Sequence, residues 1–146
     1  MKYKIQKGFS LIELMVVISI IGFIASVILL GVANARQKAR DAKRVADMRL
    51  VSTLLENYFN SNRLYPTQSS PALMSSVLST PLGVAMGNAP YPADTAACAA
   101  ANGSFIWNDY VYTSTNGTSY TITFCLGGDT GNYSAGTHTL SPNGIQ

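Results

Sequence analysis

KGFSLIELMVVISIIGFIASVILLGVANA, residues 7–35, carries a single charge after its opening lysine, Glu13. The uncharged run from Leu14 to Ala35 is dominated by Leu, Ile, Val, Phe and Met. It is long enough to cross a hydrocarbon core of about 30 Å, for which roughly 20 helical residues suffice. In lipid every backbone polar group must be satisfied within the segment, and a helix does this. An ordinary secretory signal has a shorter apolar core that ends in a small-residue cleavage site. This run is longer, and Ala33-Asn34-Ala35 is a weak site of that kind. The stretch therefore predicts a membrane-spanning helix.

Upstream, Met1 to Gly8 hold Lys2, Lys4 and Lys7 and no acid. Downstream the chain becomes charged without losing helical character. Arg36, Lys38, Arg40, Lys43, Arg44 and Arg49 stand against Asp41 and Asp47, and no Pro or Gly interrupts Gln37 to Asn60. Val45, Met48, Val51, Leu55, Tyr58 and Phe59 recur at three- and four-residue steps, an apolar stripe on one helical face. One helix is thus predicted from Phe9 to about Asn60, ended by Asn60-Ser61-Asn62 and then Tyr65-Pro66. The bland reading of the Arg36–Arg49 charges is a solvated helix face; the functional reading is pairing between copies of the chain. Glu13 is the anomaly. A carboxylate in an apolar helix costs about 2.5–3.5 kcal/mol at the bilayer centre, so it needs a partner. No Lys or Arg lies within one helical turn of it. In a bundle of identical helices such an acid would set axial register, as one buried polar residue does in a coiled coil.

Beyond Arg63 the only charged side chains are Asp94, Asp109 and Asp129, so the net charge of +3 averages a basic first half and a mildly acidic second half. That distribution points to a membrane before a nucleic acid. Pro66 to Ala101 is rich in Ser, Ala, Pro and Gly. Within it Pro71–Leu78 reads as a short helix with Pro at its start, and Pro81–Pro92 as loop. Strand signals follow over Ser104–Thr113 and Thr118–Leu126, with Asn116-Gly117 as the turn between them and a further short strand near Thr137–Leu140. A small antiparallel sheet laid on the stripe of the long helix, an α+β fold, is the expected outcome. Cys98 and Cys125 would pair if the domain is exported; two reduced buried thiols or a metal pair are the alternatives.

No constellation for chemistry is present. His138 is the sole histidine, no second carboxylate lies near Asp109, and phosphate-loop, metal-ligand and nucleophile-elbow patterns are all missing. Asn102, Asn116 and Asn132 fit the N-glycosylation acceptor pattern, but turn-forming Asn explains all three. Trp107, Tyr110 and Tyr112 offer faces on which single-stranded DNA stacks; without basic neighbours they read as sheet core first. The prediction is a protein that is not an enzyme and has no metal or cofactor.

Lys7-Gly8, followed by Phe9-Ser10-Leu11-Ile12-Glu13-Leu14-Met15-Val16-Val17 and Ile20-Ile21-Gly22, resembles the class III signal of type IV pilins and type II secretion pseudopilins. Asp41-Ala42-Lys43-Arg44 through Tyr58, with Asn62 and Tyr65-Pro66-Thr67, is similar to the helix end of that family. The resemblance implies a cut between Gly8 and Phe9 by a prepilin peptidase, methylation of the new Phe9 amine, and a Glu13 whose cationic partner is that amine, on the same chain or a neighbouring copy. It implies a leader over 1–8, a transmembrane and assembly helix over 9–35, its amphipathic half over 36–62 and a globular head over 63–146. The implied role is a filament subunit of a type IV pilus-like structure, with copies of itself, an inner-membrane assembly platform and its motor as partners. Before assembly it would sit in the bacterial cytoplasmic membrane with the head outside, and afterwards in a cell-surface or periplasmic filament. A secretion pseudopilin or a minor DNA-uptake pilin is the variant within this class. A monomeric membrane-anchored binding module with an uncut N-terminus is the alternative outside it.

Two departures stand out. The proline that many pilins carry partway along the span is Leu30 here, which leaves Gly31 as the candidate point of local melting. The Asp-Pro-Trp-Gly motif and acid cluster of major pseudopilins are absent, which argues against calcium. The positive-inside rule also opposes the family topology, with three lysines before the span and six basic residues soon after it. The leader must still meet its peptidase inside the cell, so the family topology is adopted.

Overall fold

The structure, a computed structural model, describes residues 8–90, 98 and 110–146. The first seven leader residues, Asp94, Phe105, Trp107 and Asp109, the Asn102 acceptor and the start of the Ser104–Thr113 strand signal lie outside the described residues. One helix, α1, runs over Leu11–Asn62. Its first backbone bond is donated by Leu14 N–H to the Ser10 carbonyl at 3.2 Å. It closes where Arg63, in the left-handed region at φ 63°, donates its N–H to the Phe59 carbonyl at 2.7 Å. The chain divides into two compact units, Met1–Arg36 and Gln37–Gln146.

The second unit contains the sheet. Strands β1 (Gln68–Leu73), β2 (Val111–Ser114), β3 (Thr121–Leu126), β4 (Gly136–Ser141) and β5 (Gly144–Ile145) pair antiparallel in chain order. Helix α2 (Met74–Leu82) leaves the end of β1. It stops at Gly83, whose φ of 64° is the left-handed value that favours glycine, and Pro81 in its last turn cannot extend it.

The predicted stripe is the core face of α1 in this unit. Val45, Met48, Val51 and Leu55 are buried, and Phe59 packs against the same cluster. They meet Tyr110, Tyr112, Tyr120, Ile122, Phe124, Leu126 and Leu140 from the sheet side, with Met74 and Leu78 from α2. Along β3 the alternation Ile122, Phe124, Leu126 faces this core. Burying each such side chain contributes roughly 1.5–3 kcal/mol, so a sheet this thin is stable only with the helix as cover. Cys98 and Cys125 are joined by a disulfide, with Cα atoms 6.1 Å apart, tying the region before β2 to β3.

The sequence reading differs from the structure over residues 68–78. Pro71 does not open a helix. It lies in β1, at the sheet edge, where the register slips between Gln68 and Ala72. An edge with a bulge is where a strand tolerates a residue without an N–H. The helix begins three residues later because Leu73 still pairs with Val111 and Met74 still donates its N–H to the Tyr110 carbonyl at 2.7 Å. The turn at Asn116-Gly117 is present between β2 and β3. Gly117 has φ 73°, and a Cβ there would lie 3.0 Å from the Tyr65 carbonyl oxygen. That closeness exists because Tyr65 donates its N–H to the Gly117 carbonyl at 2.8 Å, stitching the chain after α1 to the hairpin tip.

Candidate functional site

In the first unit the candidate surface is the helix itself. Phe9 and Leu11 are each 83% exposed, and Ile12, Leu14, Met15, Ile18, Ile21, Phe23, Val27 and Ile28 are also exposed, all around the axis. A soluble protein's helix buries one stripe; a helix apolar on every side is made for lipid or for other helices. It is the one helix long and apolar enough to cross a membrane among the described residues, by length and composition. Its internal hydroxyls are returned to its own backbone. Ser19 donates to the Met15 carbonyl at 2.8 Å and Ser26 to the Phe23 carbonyl at 2.7 Å. Glu13 sits in the first turn, exposed, and no cation among the described residues pairs with it. Its position one turn from a helix N-terminus places the carboxylate at the favourable end of the helix dipole. Gly8 and Phe9 precede the helix in exposed, non-helical chain.

The second unit has a polar centre that the sequence reading did not anticipate. Asp41 is fully buried and Arg44 is 2% exposed. They form an ion pair, and the Asp41 carboxylate also accepts the N–H groups of Gly127 at 3.1 Å and Gly128 at 3.0 Å. Arg44 donates in turn to the Pro90 carbonyl at 3.1 Å. One carboxylate thus holds the end of β3 against α1, and its guanidinium partner holds the loop after α2. Two further acids of α1 take tyrosine hydroxyls: Tyr110 donates to Asp47 and Tyr65 to Glu56, each at 2.8 Å. The Tyr112 hydroxyl donates to the Pro66 carbonyl at 2.6 Å. Burial pushes the Tyr112 phenol up to about 12. Burial also raises Tyr65, helped by its bond to the Glu56 carboxylate, and burial raises Tyr120. All three stay neutral hydroxyls at ordinary pH, as packing elements do.

His138 stacks near Phe124 and Tyr133, with its ring nitrogens 2.8 Å from the Ser134 carbonyl and 3.2 Å from that of Gln146. It packs on β4, opposite Phe124 of β3. No group of three or more potential metal ligands occurs among the described residues. A depression of about 130 Å³ lies between Leu50, Leu54, Val84, Met86 and Tyr110, with Lys43 and Asp47 also on its wall, and the Asp47 carboxylate there accepts the Tyr110 hydroxyl.

Residues 3–29, which contain Gly8, Phe9 and Glu13, match the family model described as the prokaryotic N-terminal methylation motif. The match falls on the segment that resembles a class III signal. The chain is 35% identical over 83 residues to type II secretion system core protein G of Aeromonas hydrophila, covering 56% of this chain and 58% of that protein. It is 40% identical over 62 residues to the protein of that name from Escherichia coli K12, covering 42% and 43%. It is 33% identical over 78 residues to the type IV wide pilus major component PilA4 of Thermus thermophilus, covering 53% and 60%. The chain thus spans about half the length of the curated relatives it matches. No solved structure matches it significantly.

Proposed function

We propose that this chain is the precursor of a structural filament subunit of the type IV pilus and type II secretion class. A prepilin peptidase cuts it between Gly8 and Phe9 and methylates the new Phe9 amine. Helix residues 9–35 hold it in the cytoplasmic membrane, with the head of residues 63–146 outside, until an assembly platform and its motor draw it into a helical fibre. The observation that carries this reading is the methylation motif lying on a helix whose apolar surface is exposed on every side.

Lipid tails cover such a helix as well as another helix does, so apolar burial alone does not drive association in the membrane. What favours association is close side-chain packing together with a partner for Glu13. An isolated carboxylate in the hydrocarbon is costly, and the Phe9 amine of a neighbouring copy removes that cost in one register only. Extraction from the lipid needs work from outside the chain, which is the motor's part. The likeness to type II secretion core protein G favours a second reading, a pseudopilin of a secretion system, with the same processing and the same assembly surface.

Peptide mass spectrometry of the membrane-extracted protein tests the proposal. The account expects a mature chain that begins at Phe9 and carries one extra methyl on its amine. An intact Met1 refutes it in favour of a monomeric anchored module, and a cut near Ala35 refutes it in favour of an ordinary export signal.

A further inference from the structure

The first turns beyond the apolar run carry Arg36, Lys38 and Lys43, all exposed. The buried Asp41 does not offset them at the surface, which leaves the half-buried Asp47 as the one acid of the stretch that faces them. Asp41 is buried, engaged by Arg44 and by the N–H groups of Gly127 and Gly128, and Asp47 accepts the Tyr110 hydroxyl. At 3.6 residues per turn Arg36 and Lys43 lie within about 20° of each other, and Lys38 is about 140–160° away. The cations therefore lie on two opposite sides of the helix, an open collar, and do not form a patch on one side.

Taking the reading above that residues 9–35 span the membrane, we infer that this collar binds anionic phospholipid headgroups in the leaflet from which the head emerges. Lys43 stands eight residues after Ala35, about 12 Å along the helix at about 1.5 Å per residue. The headgroup layer adds about 5–7 Å per leaflet, and unscreened attraction reaches about 8 Å further at physiological salt. Arg36, Lys38 and Lys43 all fall inside that reach, and long basic side chains bend back toward phosphate. Arg49, about 21 Å out, does not. A second copy of the chain is the poorer ligand. Among the described residues of the head Asp129 is the one exposed carboxylate, and it already accepts the Ala135 N–H at 2.9 Å. A collar also suits a plane that encircles the helix, whereas a docked protein would touch one side of it.

The full chain in nanodiscs of equal phosphatidylglycerol and phosphatidylcholine provides the test, with retained lipids counted by native mass spectrometry. The expected result is preferential retention of phosphatidylglycerol, by about fivefold for each cation in reach. That preference disappears in the triple variant Arg36→Gln, Lys38→Gln, Lys43→Gln and persists in Arg49→Gln. Glutamine keeps the helix propensity of Lys and Arg, and a circular dichroism melt matching the parent shows that the triple variant is folded. Equal retention of the two lipids by the parent, or an undiminished preference in the folded triple variant, overturns the inference. An equal loss in Arg49→Gln also overturns it, because binding would then be diffuse. These outcomes are independent of the filament reading, which the mass of the mature N-terminus decides separately.

Discussion

Replacing Asp41 by alanine should be the most damaging single polar change in the head. The substitution removes the anion beside a guanidinium that is 2% exposed, and leaves the Gly127 and Gly128 N–H groups without their acceptor. Removing one partner of a buried pair costs about 3–5 kcal/mol because the other charge stays buried and uncompensated. Each orphaned N–H is worth about 1–3 kcal/mol by itself, but water reaching the opened β3–β4 loop recovers part of that, so the terms overlap and about 3–5 kcal/mol stands as the total. Against a stability of about 5–15 kcal/mol this removes between a fifth and the whole of what holds the head folded. At about 4–8 °C per kcal/mol for a domain of this size, the melting temperature should fall by roughly 12–40 °C. The assay is near-ultraviolet circular dichroism of the full chain in detergent, where the tyrosine-rich core reports the head. Asp41→Ala with Arg44→Met, which removes both charges and fills the space, should recover part of the loss. A melting temperature for Asp41→Ala within a few degrees of the parent would refute the view that this pair organises the head.

Glu13→Val should leave cleavage after Gly8 intact while polymerisation fails or yields irregular fibres; normal fibres from that variant rule out the register role. Replacing Cys98 and Cys125 by serine frees a separation of 27 residues and should cost about 3–4 kcal/mol, read as a shift in the denaturation midpoint with unchanged leader processing. Alkaline pH should destabilise the head. Unfolded tyrosine ionises near pH 10, but Tyr112 in the fold holds its proton to about 12. Stability is therefore fully present below pH 10 and falls between pH 10 and 12, by about 2–3 kcal/mol for this group. Tyr112→Phe should lose about 1–2 kcal/mol at neutral pH through the Pro66 carbonyl but show a shallower alkaline decline, and an unchanged decline would contradict the assignment.

Local signals explain which parts of the fold were legible in the sequence. The long helix announces itself through an unbroken apolar run and a breaker-free continuation, and the β2–β3 hairpin through Asn116-Gly117 between aromatic and threonine alternation. Strand β1 was invisible because Gln68-Ser69-Ser70-Pro71 has loop composition and becomes a strand only through its pairing with Ser114, Tyr112 and Val111. The Asp41–Arg44 centre was equally hidden. The i,i+3 spacing was there to see, but so were several other charges on the same helix. Its decisive partners, Gly127 and Gly128, lie more than eighty residues away. Read as a string, Arg44 was one more solvated or subunit-pairing cation, and only the tertiary fold makes it a core residue. The methylation motif was legible for the opposite reason: it lies within residues 3–29, so the whole pattern is local.

Electron cryo-microscopy of fibres sheared from cells that express the chain together with an assembly apparatus tests the central claim most directly. The account predicts a helical fibre whose axis is a bundle of residues 9–35 from many copies, with heads outermost and each Glu13 within ion-pair distance of a Phe9 amine. Processed protein that stays as single molecules in the membrane under those conditions would contradict it.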